Sequence, residues 1–74
     1  MKQIHDLSLV SYLVTIGHKF NKTETNGRKT IFIFQESEKL EADILRYFNR
    51  EAVVPALQFS ETLRNLKALV LRNQ

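Results

Sequence analysis

Four stretches of the chain carry distinct patterns of apolar and polar residues. In the first, Leu7, Val10 and Val14 share one face at helical spacing, with Leu13 beside them, Ile16 close behind and Tyr12 at the edge. Asp6 stands just ahead, where its carboxylate can accept a hydrogen bond from a free backbone N–H at the helix start. Gly17 follows, where a glycine can take the left-handed conformation that ends a helix. The second stretch, His18 to Gln35, changes period. His18 to Thr25 is polar except for Phe20, Asn26-Gly27 is a strong two-residue hairpin turn signal, and Arg28 to Gln35 contains Ile31-Phe32-Ile33-Phe34. The third returns to helical spacing from about Ser37 to Phe48. Ser37 is its N-cap, Glu36, Glu38 and Glu41 sit at the positive end of the dipole, and Arg46 and Arg50 sit toward the other end, where Asn49 closes it. Its apolar face is Leu40, Ile44, Tyr47 and Phe48, with Leu45 nearby. The fourth is a helix opened by Pro55 and running to about Arg72. Ala56, Phe59, Leu63, Leu66 and Val70 form its stripe, Thr62 and Leu69 flank it, and Leu57 and Leu71 lie off it. Between the last two helices, Ala52-Val53-Val54 reads either as a brief third strand or as a packed connector, since Pro55 drives Val54 toward an extended backbone.

The hairpin pattern has one anomaly. With Asn26-Gly27 as a two-residue loop, Glu24 faces Lys29, Thr23 faces Thr30 and Phe20 faces Ile33. Ile31 and Ile33 then share a face with Phe20, and Phe32 and Phe34 take the other. A half-covered strand alternates apolar with polar residues, and this one does not. Either both faces are covered, or Ile31, Ile33, Phe32 and Phe34 offer a surface to a partner; a bulge at the turn shifts this register.

Composition narrows the class. With 74 residues the chain is a single domain spanning 1–74. Hydrophobic residues at 43% and charged residues at 26% are values of a folded chain rather than a disordered one. No cysteine is present, which removes disulfides, thiolate metal sites and thiol nucleophiles, so stability must come from packing, a partner or self-association. No stretch reaches the length of a membrane span and no signal-peptide core opens the chain, so a cytoplasmic location is the expectation. The net charge of +3 permits nucleic-acid binding without requiring it.

Candidate chemistry is sparse. His5 and His18 have no carboxylate at metal-motif spacing and read as surface or hairpin-edge residues; no metal or cofactor is expected. Ser8, Ser11, Ser37 and Ser60 lack a glycine-flanked turn, and two glycines cannot build a phosphate loop. Glu38, Glu41 and Asp43 read as a solvated helix face. Two basic groups remain: Lys19, Lys22, Arg28 and Lys29 on the hairpin, and Arg64, Lys67 and Arg72 on the last helix, with Asn65 and Asn73 nearby. Lys22, Arg28, Lys29, Arg64 and Lys67 are the candidate phosphate contacts. Neither group is interleaved with aromatics, so no base-stacking platform is evident.

Several segments together resemble a known family. These are Asp6-Leu7 through Tyr12-Leu13 to Gly17-His18-Lys19-Phe20, then Gly27-Arg28 leading to Phe32-Ile33-Phe34, and Phe59 through Leu63-Arg64-Asn65-Leu66-Lys67-Ala68-Leu69. Leu40, Ile44 and Tyr47-Phe48-Asn49 fit between them. The pattern over about residues 4–71 resembles a family of small uncharacterised domains of bacteria and their phages, classed as a domain of unknown function. The resemblance implies a phage or mobile-element accessory role and assigns no catalytic residue.

The expectation is therefore an α+β fold: a short antiparallel hairpin, with or without a third short strand, packed against three helices in the order α-β-β-α-(β)-α. The expected activity is non-enzymatic binding of a protein, including a second copy of the chain, through the hairpin or the last helix. Nucleic-acid binding through the five basic residues is the alternative.

Overall fold

The computed structural model describes residues 1–72; Asn73, grouped above with the basic residues of the last helix, lies outside the described residues. The elements are β1 (Lys2–Ile4), α1 (Leu7–Thr15), β2 (Phe20–Asn26), β3 (Lys29–Phe34), α2 (Glu38–Phe48) and α3 (Ala56–Arg72). The strands form an antiparallel sheet in the order β1-β3-β2. The fold is thus α+β, with three helices and the hairpin where the sequence places them. A third strand exists, but it is the amino-terminal Lys2–Ile4, not Ala52–Val54. The latter is an irregular connector with Val53 86% exposed. Adding β1 puts β3 in the centre of the sheet, with a hydrogen-bonded strand on either side.

The register differs from the one expected, in two separable ways. Asn26 pairs with Lys29, so the two turn residues are Gly27 and Arg28 rather than Asn26 and Gly27. Gly27 has φ +65° and Arg28 does not have a positive φ, the pattern of a turn with glycine at its first central position. This displacement slides the pairs: Glu24 meets Ile31 and Thr23 meets Phe32. The faces stay as they were, because the slide is by two residues. The second difference is a bulge between Phe20 and Lys22, at the far end of the hairpin from the turn. One extra residue reverses everything beyond it. Phe20 therefore joins the phenylalanine face rather than the isoleucine face, and its ring meets those of Phe32 at 5.0 Å and Phe34 at 6.1 Å, both edge-on.

All three helices pack on that one face. Leu9, Val10, Tyr12 and Leu13 of α1, Leu40 of α2 and Leu66 of α3 close over Ile4, Phe32 and Phe34. Tyr12 is buried within this core rather than at its edge, and its ring stacks obliquely on Tyr47 at 5.7 Å. Helix α1 packs against both other helices and so lies between them. On the α2 side, Lys2 of β1 forms an ion pair with Glu41 at 3.4 Å. On the α3 side, Val70 approaches the hairpin tip.

The helix ends follow from the local sequence. Asp6 accepts hydrogen bonds from the N–H groups of Ser8 and Leu9, and Ser37 accepts one from Leu40. At the end of α1, Gly17 N–H bonds to Val14 O and His18 N–H to Leu13 O, with Gly17 at φ +112°, a left-handed closure. Helix α2 ends in the same way: Arg50 N–H bonds to Tyr47 O and Glu51 N–H to Arg46 O. Here, however, the left-handed residue is Arg50, at φ +61°. A side chain in that region costs about 1 kcal/mol that glycine avoids. Arg50→Gly is therefore expected to stabilise the domain by up to about 1 kcal/mol in urea titration. The gain shrinks by whatever glycine costs through the unfolded chain.

Candidate functional site

Three of the four apolar residues of the hairpin's second arm are buried within the chain itself, and only Ile31 is half-exposed. Phe32 and Phe34 are each 1% exposed and belong to the core. Ile31 and Ile33 lie on the opposite face of the sheet, outside that core cluster. Their register neighbours are long polar residues: Gln3 and Lys22 flank Ile33, and Glu24 flanks Ile31. Lys22 and Glu24 also pair with each other at 3.4 Å on this face. Long side chains of this kind can lay their stems over a neighbouring isoleucine, and Ile33 is buried while Ile31 is half-buried.

The basic residues fall into separate places. Lys22 is on the outer sheet face. Arg28 and Lys29, at the hairpin tip, border an open notch of about 220 Å³ together with His5, Leu7, Thr30, Phe32 and Val70. Arg64 and Lys67 border another, of about 200 Å³, with Ser60 and Leu63 along α3. The structure thus joins His5 to Arg28 and Lys29, a grouping the sequence did not indicate. Arg64 and Lys67 line a different notch.

The sequence also missed a buried pair. His18 Nε2 lies 2.7 Å from Asp43 Oδ2, with side chains 16% and 7% exposed, and Lys39 Nζ approaches the same oxygen at 3.5 Å. Asp43 is thus not on a solvated face and His18 is not an open surface residue. The hydrogen bond from His18, outweighing burial, holds the Asp43 carboxyl below the usual aspartate range, and Lys39 adds to it. The two residues are 25 positions apart, and no local motif marks such a contact. One sign was available: Asp43 stands three residues after Leu40, on the side of α2 that turns inward. The pair ties the α1–β2 connection to α2.

Large apolar residues are exposed elsewhere. Leu45 and Phe48 of α2 are each 62% exposed, and Leu57 and Leu71 of α3 are 73% and 70% exposed. Phe48 is a correction, since helical spacing puts it on the buried face of α2; instead it borders an open groove of about 250 Å³ lined also by Ile4, Leu9 and Ile44. Leu57 and Leu71 lie where the sequence put them, off the buried stripe. Among the described residues, no group of three potential metal-ligating side chains converges, and no helix is long and apolar enough to cross a membrane.

One family profile, described as a domain of unknown function (DUF5659), matches residues 2–72. No curated protein and no solved structure matches the chain.

Proposed function

We propose that this chain, which belongs to the DUF5659 family of domains of unknown function, is a non-enzymatic protein-binding module that docks through the outward side of its helical layer. The observation that carries this reading is the exposure of Leu45, Phe48, Leu57 and Leu71, in a domain whose hairpin phenylalanines are spent on the core. Exposed leucines occur singly on many surfaces. Here two helices each carry a pair of large apolar residues that are exposed, and Phe48 in addition flanks a groove where Ile4, Leu9 and Ile44 meet the polar Lys2, Gln3, His5 and Asp6.

The test compares tagged wild type with the Leu45→Glu/Phe48→Glu and Leu57→Glu/Leu71→Glu variants, each checked for native circular dichroism, by quantitative recovery of co-purifying proteins from the native host. At least one variant is expected to lose a discrete bound protein roughly tenfold, the scale set by removing one well-buried anchor. Equal recovery with all three proteins would sink the reading. The nucleic-acid alternative is supported by the meeting of His5, Arg28 and Lys29 at one notch. It gains ground instead if an oligonucleotide binds the wild type at low salt, releases steeply as salt rises, and fails to bind Arg28→Glu/Lys29→Glu.

A further inference from the structure

The outward face of α3 has an order that the exposure of its leucines does not by itself require. Leu57, Glu61, Arg64, Ala68 and Leu71 follow one another at spacings of four, three, four and three residues, and all five are exposed. That spacing draws a single stripe along a helix, on the side away from Leu66, the buried residue of α3. Along the stripe the side chains read apolar, acidic, basic, small, apolar.

We infer that this stripe docks onto the same stripe of a second copy of the chain, antiparallel about a two-fold axis; the inference rests on the reading of the helical layer as a docking surface. With the axis crossing α3 between positions 62 and 63, Glu61 of each copy stands opposite Arg64 of the other. Leu57 stands opposite Ala68, whose small side chain lets the helices approach. Leu71 runs on past Leu57 toward the connector that carries the exposed Val53. An isologous contact repeats every pair twice, so a single Glu–Arg match supplies two ion pairs. The parallel arrangement is disfavoured by the same residues, because it sets Glu61 against Glu61 and Arg64 against Arg64. Both charges are available: among the described residues, neither Glu61 nor Arg64 has an ion-pair partner within its own chain. The core is not disturbed either, since the stripe uses no residue of the buried cluster.

The contact is small. A helix of 17 residues is about 25 Å long, and one such helix buries less than the ~800 Å² per partner of a standard interface. The dimer is accordingly weak and depends on concentration.

Sedimentation velocity from about 10 μM to about 1 mM, the range over which a weak complex fills, tests it. The wild type is expected to move from 8.7 kDa toward twice that mass. Glu61→Arg alone and Arg64→Glu alone are each expected to weaken association by roughly tenfold or more, because each turns two attractions into two repulsions. The double exchange Glu61→Arg/Arg64→Glu is expected to recover most of the loss, since it restores the pairs with their signs inverted. Leu71→Glu is expected to abolish association. A mass that stays at 8.7 kDa up to ~1 mM overturns the second-copy inference while leaving the helical docking surface to the capture experiment above. A dimer untouched by Arg64→Glu and Leu71→Glu keeps self-association but overturns the α3 pairing. A double exchange no better than its parents overturns the Glu61–Arg64 match.

Discussion

Phe32→Ala is expected to remove about 3–5 kcal/mol of folding stability, while Ile31→Thr, one residue away, is expected to remove less than about 1 kcal/mol. The contrast follows from the sheet's two faces. Phe32 is 1% exposed and sits where residues from β1 and all three helices converge, so its loss leaves a cavity that no single element can close. It also loses the edge-on contact with Phe20. Ile31 is half-buried on the other face beside Glu24, where threonine keeps the β-branched shape and its hydroxyl reaches water. A domain of 74 residues at ordinary stability holds roughly 4–11 kcal/mol. Phe32→Ala therefore consumes a large share of the total and is expected to show a collapsed urea midpoint, with Ile31→Thr close to wild type. Equal losses from the two variants would show that Ile31 is packed as tightly as Phe32, contrary to its partial exposure.

Much of this arrangement is legible in the chain, because much of it is local. Asp6 and Ser37 cap helices by bonds to residues two or three positions on, and Gly17 closes α1 within two. Gly27 fixes the position of the turn to within one residue. What the sequence does not show depends on partners far along the chain. β1 is three residues long, too short for any alternation to register, and exists because β3 offers it an edge. The choice between Asn26-Gly27 and Gly27-Arg28 is a choice between two acceptable turns, decided by how β2 then meets β3 along its length. The bulge that turns Phe20 inward serves the phenylalanine cluster and leaves no local signature. Arg50 shows the converse case. Its left-handed backbone is the one glycine favours, and the surrounding chain imposes it without the glycine. The outward stripe of α3 was half visible: Leu57 and Leu71 fall off the buried periodicity, but reading Glu61 and Arg64 with them requires knowing which side of the helix faces out.

Loss of the His18–Asp43 pair is expected to have the second large effect, and its size should depend on pH. His18 is held by its backbone bond to Leu13 at the end of α1, so its ring reaches α2 from a fixed base. Asp43 receives it at 2.7 Å with little water around either side chain. Removing Asp43 leaves the His18 ring without its hydrogen-bond partner, and removing His18 leaves the buried Asp43 carboxylate to Lys39 at 3.5 Å; each loss costs about 2–4 kcal/mol. Asp43→Ala and His18→Ala are each expected to fall in that range at pH 7. The double variant should lose clearly less than their sum, because the second deletion removes a group whose main partner is already gone. The pH dependence follows from the lowered Asp43 pKa. A carboxyl whose folded pKa lies below its unfolded one, near 3.9, contributes its full stabilisation above that unfolded value and loses it as pH falls through the folded one. The stability gap between wild type and Asp43→Asn, measured by urea titration, should therefore narrow progressively as pH falls below about 4. A gap that stays constant down to about pH 3 would show that the pair holds the α1–β2 connection to α2 by shape and neutral hydrogen bonding, with no contribution from the aspartate charge.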